Sequence, residues 1–156
     1  MKKIISLITI VLLLVSCNRE KGKMELLLTK EIEDCKSLNC EIELKEITDF
    51  EWEKVYIFQM PVPKEYVNRT IGIDYIDYTE FTRPIIFTNK GKIVYSENNQ
   101  ASIESLIPEQ VIVGGLMDTT KVWIFNVNQA IFKARVKENN HTKYYELTPI
   151  ENNSKK

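Results

Sequence analysis

The chain has 156 residues, with 21 basic and 22 acidic side chains and a formal charge of −1. A balance of this kind leaves no basic stripe, which excludes the electrostatic footprint of a nucleic-acid-binding protein and of a polybasic membrane-binding surface. The length suits one domain with a proper core.

Lys2 and Lys3 open the chain, and residues 4–15 follow as an apolar run interrupted only by Ser6 and Thr9. A charged start before a short apolar stretch is the pattern of a secretory signal. As a helix the run would reach roughly 18 Å. That is well short of the about 30 Å of a bilayer core. The run ends in Leu14-Val15-Ser16-Cys17 and gives way at once to Asn18-Arg19-Glu20-Lys21.

The quartet Leu14-Val15-Ser16-Cys17 resembles the lipobox of bacterial lipoproteins. The resemblance implies that residues 1–16 are a cleaved lipoprotein signal peptide. It also implies that the Cys17 sulfur receives a diacylglycerol and that the new amino end is acylated, palmitate being a typical chain. Two or more acyl chains hold a protein stably on a bilayer, at about 0.8 kcal/mol per buried CH₂. In that family an Asp after the cysteine marks retention in the inner membrane. Asn18 leans the other way, towards an outer membrane where the cell has one. The rival assignments are a plain secretory signal and an uncleaved anchor. Loss of residues 1–16, which hold two lysines and no acid, leaves 19 basic and 22 acidic side chains and a charge of −3.

Residues 17–23 read as the lipidated cysteine and a polar tether, 24–150 as a single globular β-rich domain, and 151–156 as a polar, disordered tail. Between 24 and 35 apolar residues fall at 24, 27, 28, 32 and 35, which predicts a helix. A strand at 26–28 competes with it, and Ser37-Leu38-Asn39 breaks the pattern. Cys35 and Cys40 are the two cysteines beyond Cys17. In an oxidising compartment they allow one intrachain disulfide. Free thiols remain the alternative. Metal binding fails on ligand count, since the single histidine is His141.

Residues 40–47 alternate, with Ile42 and Leu44 on one face, as a half-buried strand does. Residues 52–58 predict a second strand, apolar on both faces and therefore central, with Trp52, Tyr56 and Phe58 assigned to one side. A short helix is expected over 64–71 after Pro63. Residues 72–83 give no clear assignment. The runs 84–88 and 92–96 flank Asn89-Lys90-Gly91 and predict a β-hairpin, with polar loop over 97–102. Strands over 111–113, 121–127, 130–136 and 144–148 are expected to form a meander. The fold class is α+β: mostly antiparallel β-sheet with one or two helices packed on one face.

The segment Asp49-Phe50-Glu51-Trp52-Glu53-Lys54-Val55-Tyr56-Ile57-Phe58 is similar to a D-F-x-W-[DE]-K-[VL]-Y-[IV]-F stretch of small uncharacterised bacterial lipoproteins. It implies no activity. Its aromatics either fill a core or form a binding surface through Trp52 and Tyr56. Asp74 and Asp77, with Glu80 nearby, would approach each other on a helix and could serve as an acid–base pair. A solvated acidic face is the simpler reading. His141 sits in a polar turn with neither a nucleophile motif nor an orienting partner. Gly114-Gly115 lacks the rest of a phosphate loop, so no cofactor is called. Three readings stay open: a non-enzymatic envelope module that binds a protein partner or protects an envelope component, a hydrolase using Asp74, Asp77 or Glu80, and a small-molecule or carbohydrate-binding module. The first expects an exposed apolar patch.

Overall fold

The computed structural model describes residues 21–35, 40–101 and 106–150. The expected signal segment, Cys17, Ser37-Leu38-Asn39 and the 151–156 tail lie outside the described residues. The chain is α+β and mostly antiparallel, with its strands divided between two four-stranded sheets.

Helix α1 (Lys23–Asp34) buries Met24, Leu28 and Ile32 at intervals of four, so one stripe faces the core. The 17–23 tether expected from sequence is shorter at its far end. Lys21 reaches Glu109, the Gly22 amide is held by Asn99 at 3.1 Å, and Lys23 is already helical.

Strand β1 (Cys40–Glu43) pairs with β7, and the expected continuation to Ile47 is instead a single helical turn, α2 (Leu44–Ile47). The Leu44 amide leaves the strand ladder for the Ala130 carbonyl at 3.0 Å, which turns the chain while keeping Leu44 buried. Strand β2 (Lys54–Phe58) lies between β3 and β6, as its two apolar faces predicted.

Helix α3 (Lys64–Ile71) starts after Pro63 and ends at Gly72, whose left-handed φ of 73° lets its amide reach the Asn68 carbonyl. Strands β3 (Thr82–Asn89) and β4 (Lys92–Gln100) form the expected hairpin. Its two-residue turn, Lys90-Gly91, has positive φ at both positions, as a twisted hairpin prefers. Pro84 lies within β3, but only where β3 faces β4. The β2 pairing begins at Ile85, so the missing amide interrupts no second ladder. The polar loop expected over 97–102 is a correction: β4 runs on through Gln100, and Glu97 and Asn99 turn inward and are buried.

The last third is not a meander. Strand β5 (Val111–Val113) pairs in parallel with β8 (Thr142–Pro149), whereas β6 (Val122–Asn126) crosses to the other sheet beside β2. Strand β7 (Ile131–Asn139) returns to pair with β1 and β8, and the β7–β8 turn is Asn140-His141, again with both φ positive. The orders are therefore β1-β7-β8-β5 and β4-β3-β2-β6.

The main core lies between the sheets and takes in α1. It includes Leu28, Ile42, Trp52, Val55, Ile57, Phe87, Phe125, Phe132 and Leu147. A second core covers the outer face of the β4-β3-β2-β6 sheet, where Tyr56, Phe58 and Ile86 meet Val67 and Ile71 of α3 and Tyr75. The period-two alternation of β2 explains the split: residues 55 and 57 feed one core, and 56 and 58 feed the other.

Candidate functional site

Where the chain enters the fold, the core is polar. Helix α1 has no side-chain cap of its own, since its N-cap is Gly22. Glu97 of β4 takes that role from 72 or more residues away. Its carboxylate accepts the Met24 amide at 2.7 Å and the Glu25 amide at 3.1 Å, the first free donors of the helix. The Tyr95 hydroxyl at 2.6 Å and the Asn99 amide at 2.7 Å complete its shell. Burial, then the bond to Glu97, pushes the Tyr95 phenol far above its ordinary value. Gly22 has to be glycine because a Cβ there would stand 2.3 Å from the Glu97 carboxyl carbon.

In the same first turn, the Glu25 side chain is buried and paired with Arg83 of β3 at 3.2 Å. The same carboxylate accepts the Val111 amide at 2.9 Å, while Arg83 donates to the Val111 carbonyl at 3.2 Å and to the Gln100 carbonyl at 2.9 Å. The outer backbone edge of β5 is thus occupied by side chains of the other layer. Sequence reading missed this cluster. Its available signals were the period-two continuation Tyr95-Glu97-Asn99 and a glutamate beside the apolar stripe of α1.

The candidate surface of Trp52 and Tyr56 is a correction. Both side chains are buried, and on opposite sides of the sheet, Trp52 in the inter-sheet core and Tyr56 in the outer one. Trp52 precedes the regular strand, so strict alternation does not carry back to it. Its indole donates to Thr48 Oγ1 at 3.0 Å and its ring meets Phe87 edge-on. The depression beside Trp52, about 370 Å³, is walled mostly by polar side chains and not by Tyr56.

Asp74, Asp77 and Glu80 do not lie on a helix. Asp74 is held by Asn68 Nδ2 at 2.8 Å and by Lys64 Nζ at 3.3 Å, and these two partners, Asn68 first, lower its pKa. Asp77 contributes its carbonyl to Asn98 at 2.8 Å, and its side chain is exposed. Of the three, Glu80 lines the groove beside the start of α3. His141 is fully exposed at the hairpin tip, 3.7 Å from Glu138. Among the described residues no group of three or more His, Cys, Asp or Glu side chains could hold a metal. The sulfurs of Cys35 and Cys40 stand at disulfide distance, with Cα atoms 5.9 Å apart, between the end of α1 and the start of β1.

The groove lies at the start of α3 and has a volume of about 430 Å³. Pro61, Val62 and Pro63 form one wall, and Tyr78, Glu80 and Phe81 form the other, with Lys64 and Glu65 at the entrance of α3. Its second wall is fixed from below. Tyr78 donates its hydroxyl to the Val62 carbonyl at 2.7 Å, Asn98 holds the Asp77 carbonyl, and Thr82 Oγ1 holds the Thr79 carbonyl at 2.6 Å. Tyr75 is buried beneath, edge-on to Tyr78. On this pinned loop Ile76 is 82% exposed and Phe81 is 71% exposed. Phe81 also has φ of 59°, a left-handed conformation that costs a bulky non-glycine residue of order 1–3 kcal/mol. Burial, then the charges of Glu80 and Glu65, raise the Tyr78 phenol.

No protein-family model, no curated protein and no solved structure matches this chain.

Proposed function

We propose that this chain is an exported lipoprotein of the bacterial envelope, held to the membrane by acyl chains on Cys17, and that its body is a non-enzymatic module that docks an envelope protein. The lipobox pattern supports the anchor. Cys17 stands five residues before Gly22, where the body grips the chain, so an extended link spans at most about 18 Å. The docking face would therefore act close to the bilayer surface.

The observation that carries the docking reading is Phe81. A large aromatic ring is held in solvent, in a strained backbone conformation, on a loop whose base is hydrogen-bonded at several points. The ring buries little of its surface within the fold, whereas a partner that covers it gains a preorganised apolar anchor. A sugar or small-molecule ligand would use the same groove. The hydrolase reading loses support because Asp74, Asp77 and Glu80 do separate work.

Two measurements test the proposal. Mass spectrometry of protein from its native cells is expected to find a diacylglyceryl group on Cys17 and no leader. A photo-crosslinking residue in place of Ile76, activated in intact cells, is expected to give one dominant protein adduct that Phe81→Gly abolishes. A leader still attached, or an amino-terminal peptide without fatty acid, refutes the anchor. A chain that yields no adduct refutes the docking.

A further inference from the structure

We infer that the groove between the 61–63 segment and the 78–81 loop recognises an extended peptide that presents an arginine or lysine next to an apolar side chain. The inference rests on the docking reading and specifies its ligand.

The apolar half of the site is Pro61, Pro63 and Phe81, with Val62 buried between the prolines as part of the outer core. Pro63 has φ of −61° and ψ of 151°, an extended polyproline-like geometry, and the Val62 carbonyl is already taken by Tyr78. This wall therefore offers a stiff ridge of side chains and little backbone pairing. Ridges of this kind, opposed by aromatic rings, suit an extended chain that docks by its side chains.

The polar half is acidic. Lys64 is the one basic residue on the lining, and its ammonium is drawn away to Asp74 at 3.3 Å. Glu65 and Glu80 both line the groove and have no ion-pair partner among the described residues. A cation entering here meets two carboxylates and the exposed Phe81 ring, and each favours positive charge. The same field opposes an anionic ligand, including phosphate groups and acidic lipid heads. An arginine also keeps its aliphatic stem for contact with Phe81.

The test uses the full lipidated protein in detergent micelles and fluorescein-labelled seven-residue peptides built on alternating proline and leucine. One peptide carries a central arginine, a second a central glutamate, and a third a central norleucine. Fluorescence anisotropy is expected to rank arginine at least tenfold tighter than norleucine, with glutamate weakest. The arginine advantage should shrink severalfold between 50 and 500 mM salt. The double variant Glu65→Gln/Glu80→Gln is expected to remove the preference for arginine and leave norleucine binding unchanged. Phe81→Gly, which relaxes the left-handed residue, is expected to weaken both peptides at least tenfold while the protein remains folded by circular dichroism. Equal binding of the arginine and glutamate peptides, no binding of any peptide, or an arginine preference that survives the double variant overturns the inference. The adduct formed at position 76 in cells reads the docking proposal separately: an adduct without arginine preference leaves docking standing and removes only this ligand class.

Discussion

Replacing Glu97 by alanine tests whether the polar cluster at the chain entry holds the fold together. The substitution strips the acceptor from four donors: the Met24 and Glu25 amides, the Tyr95 hydroxyl and the Asn99 amide. Loss of an N-terminal cap costs about 1–2 kcal/mol. Two buried side-chain donors left unpaired add roughly 1 kcal/mol each. Relief of the carboxylate's own desolvation offsets part of this, leaving a net loss of about 3 kcal/mol. For a domain of this size that corresponds to a fall in Tm of about 10 °C. The second half of the test is a reversal of sign. In the native protein Gly22→Asp destabilises, because its Cβ would meet the Glu97 carboxyl at 2.3 Å and its charge would oppose that carboxylate. With Glu97→Ala present, the same substitution fills the vacated space. Its backbone is ordinary extended (φ −62°, ψ 153°), so a side chain there can cap the helix and recover about 1 kcal/mol. Thermal and urea unfolding of the four proteins measure both effects. A loss below about 1 kcal/mol for Glu97→Ala, or a Gly22→Asp effect of the same sign in both backgrounds, refutes the capping argument.

Further outcomes follow from the same geometry. Arg83→Met leaves the Glu25 carboxylate buried without its cation and is expected to cost about 3–5 kcal/mol, whereas adding Glu25→Gln should restore part of the loss in urea titrations. His141→Gly is expected to stabilise by up to about 1 kcal/mol, since His141 sits at φ of 61° in a two-residue hairpin turn and its ring is fully exposed; a drop in Tm would contradict this. Burial raises the phenols of Tyr75, Tyr78, Tyr95, Tyr144 and Tyr145. A folded pKa above the unfolded one means stability that is whole below pH about 10 and lost as pH climbs through the folded values. Absorbance at 295 nm should therefore rise together with loss of far-ultraviolet circular dichroism. Phenolate appearing fully while the protein stays folded would exclude it.

Local pattern carried much of the architecture. The apolar spacing 24, 27, 28, 32 and 35 marked α1, Pro63 opened α3, and the two apolar faces of residues 52–58 placed β2 at the centre of its sheet. Each follows from contacts within one element, where side-chain period reports which face is buried. The pattern could not assign strands to sheets. Val111–Val113 and Val122–Asn126 look alike as apolar runs, yet one pairs in parallel with β8 and the other crosses to β2. Nor could it place Trp52, whose face is set after the chain bends into β2.

The sequence by itself determined α1 and α3, the hairpin turns, the lipobox pattern and the paired spacing of Cys35 and Cys40. Only the tertiary structure decided that Glu25, Arg83, Glu97 and Asn99 belong inside, because a buried charge is tolerated only where its partner waits. Those partners lie 58 residues apart for Glu25 and Arg83 and 73 for Met24 and Glu97. The groove beside Phe81 belongs to the same category. Its walls come from two loops, and neither records in its own residues that the other closes against it.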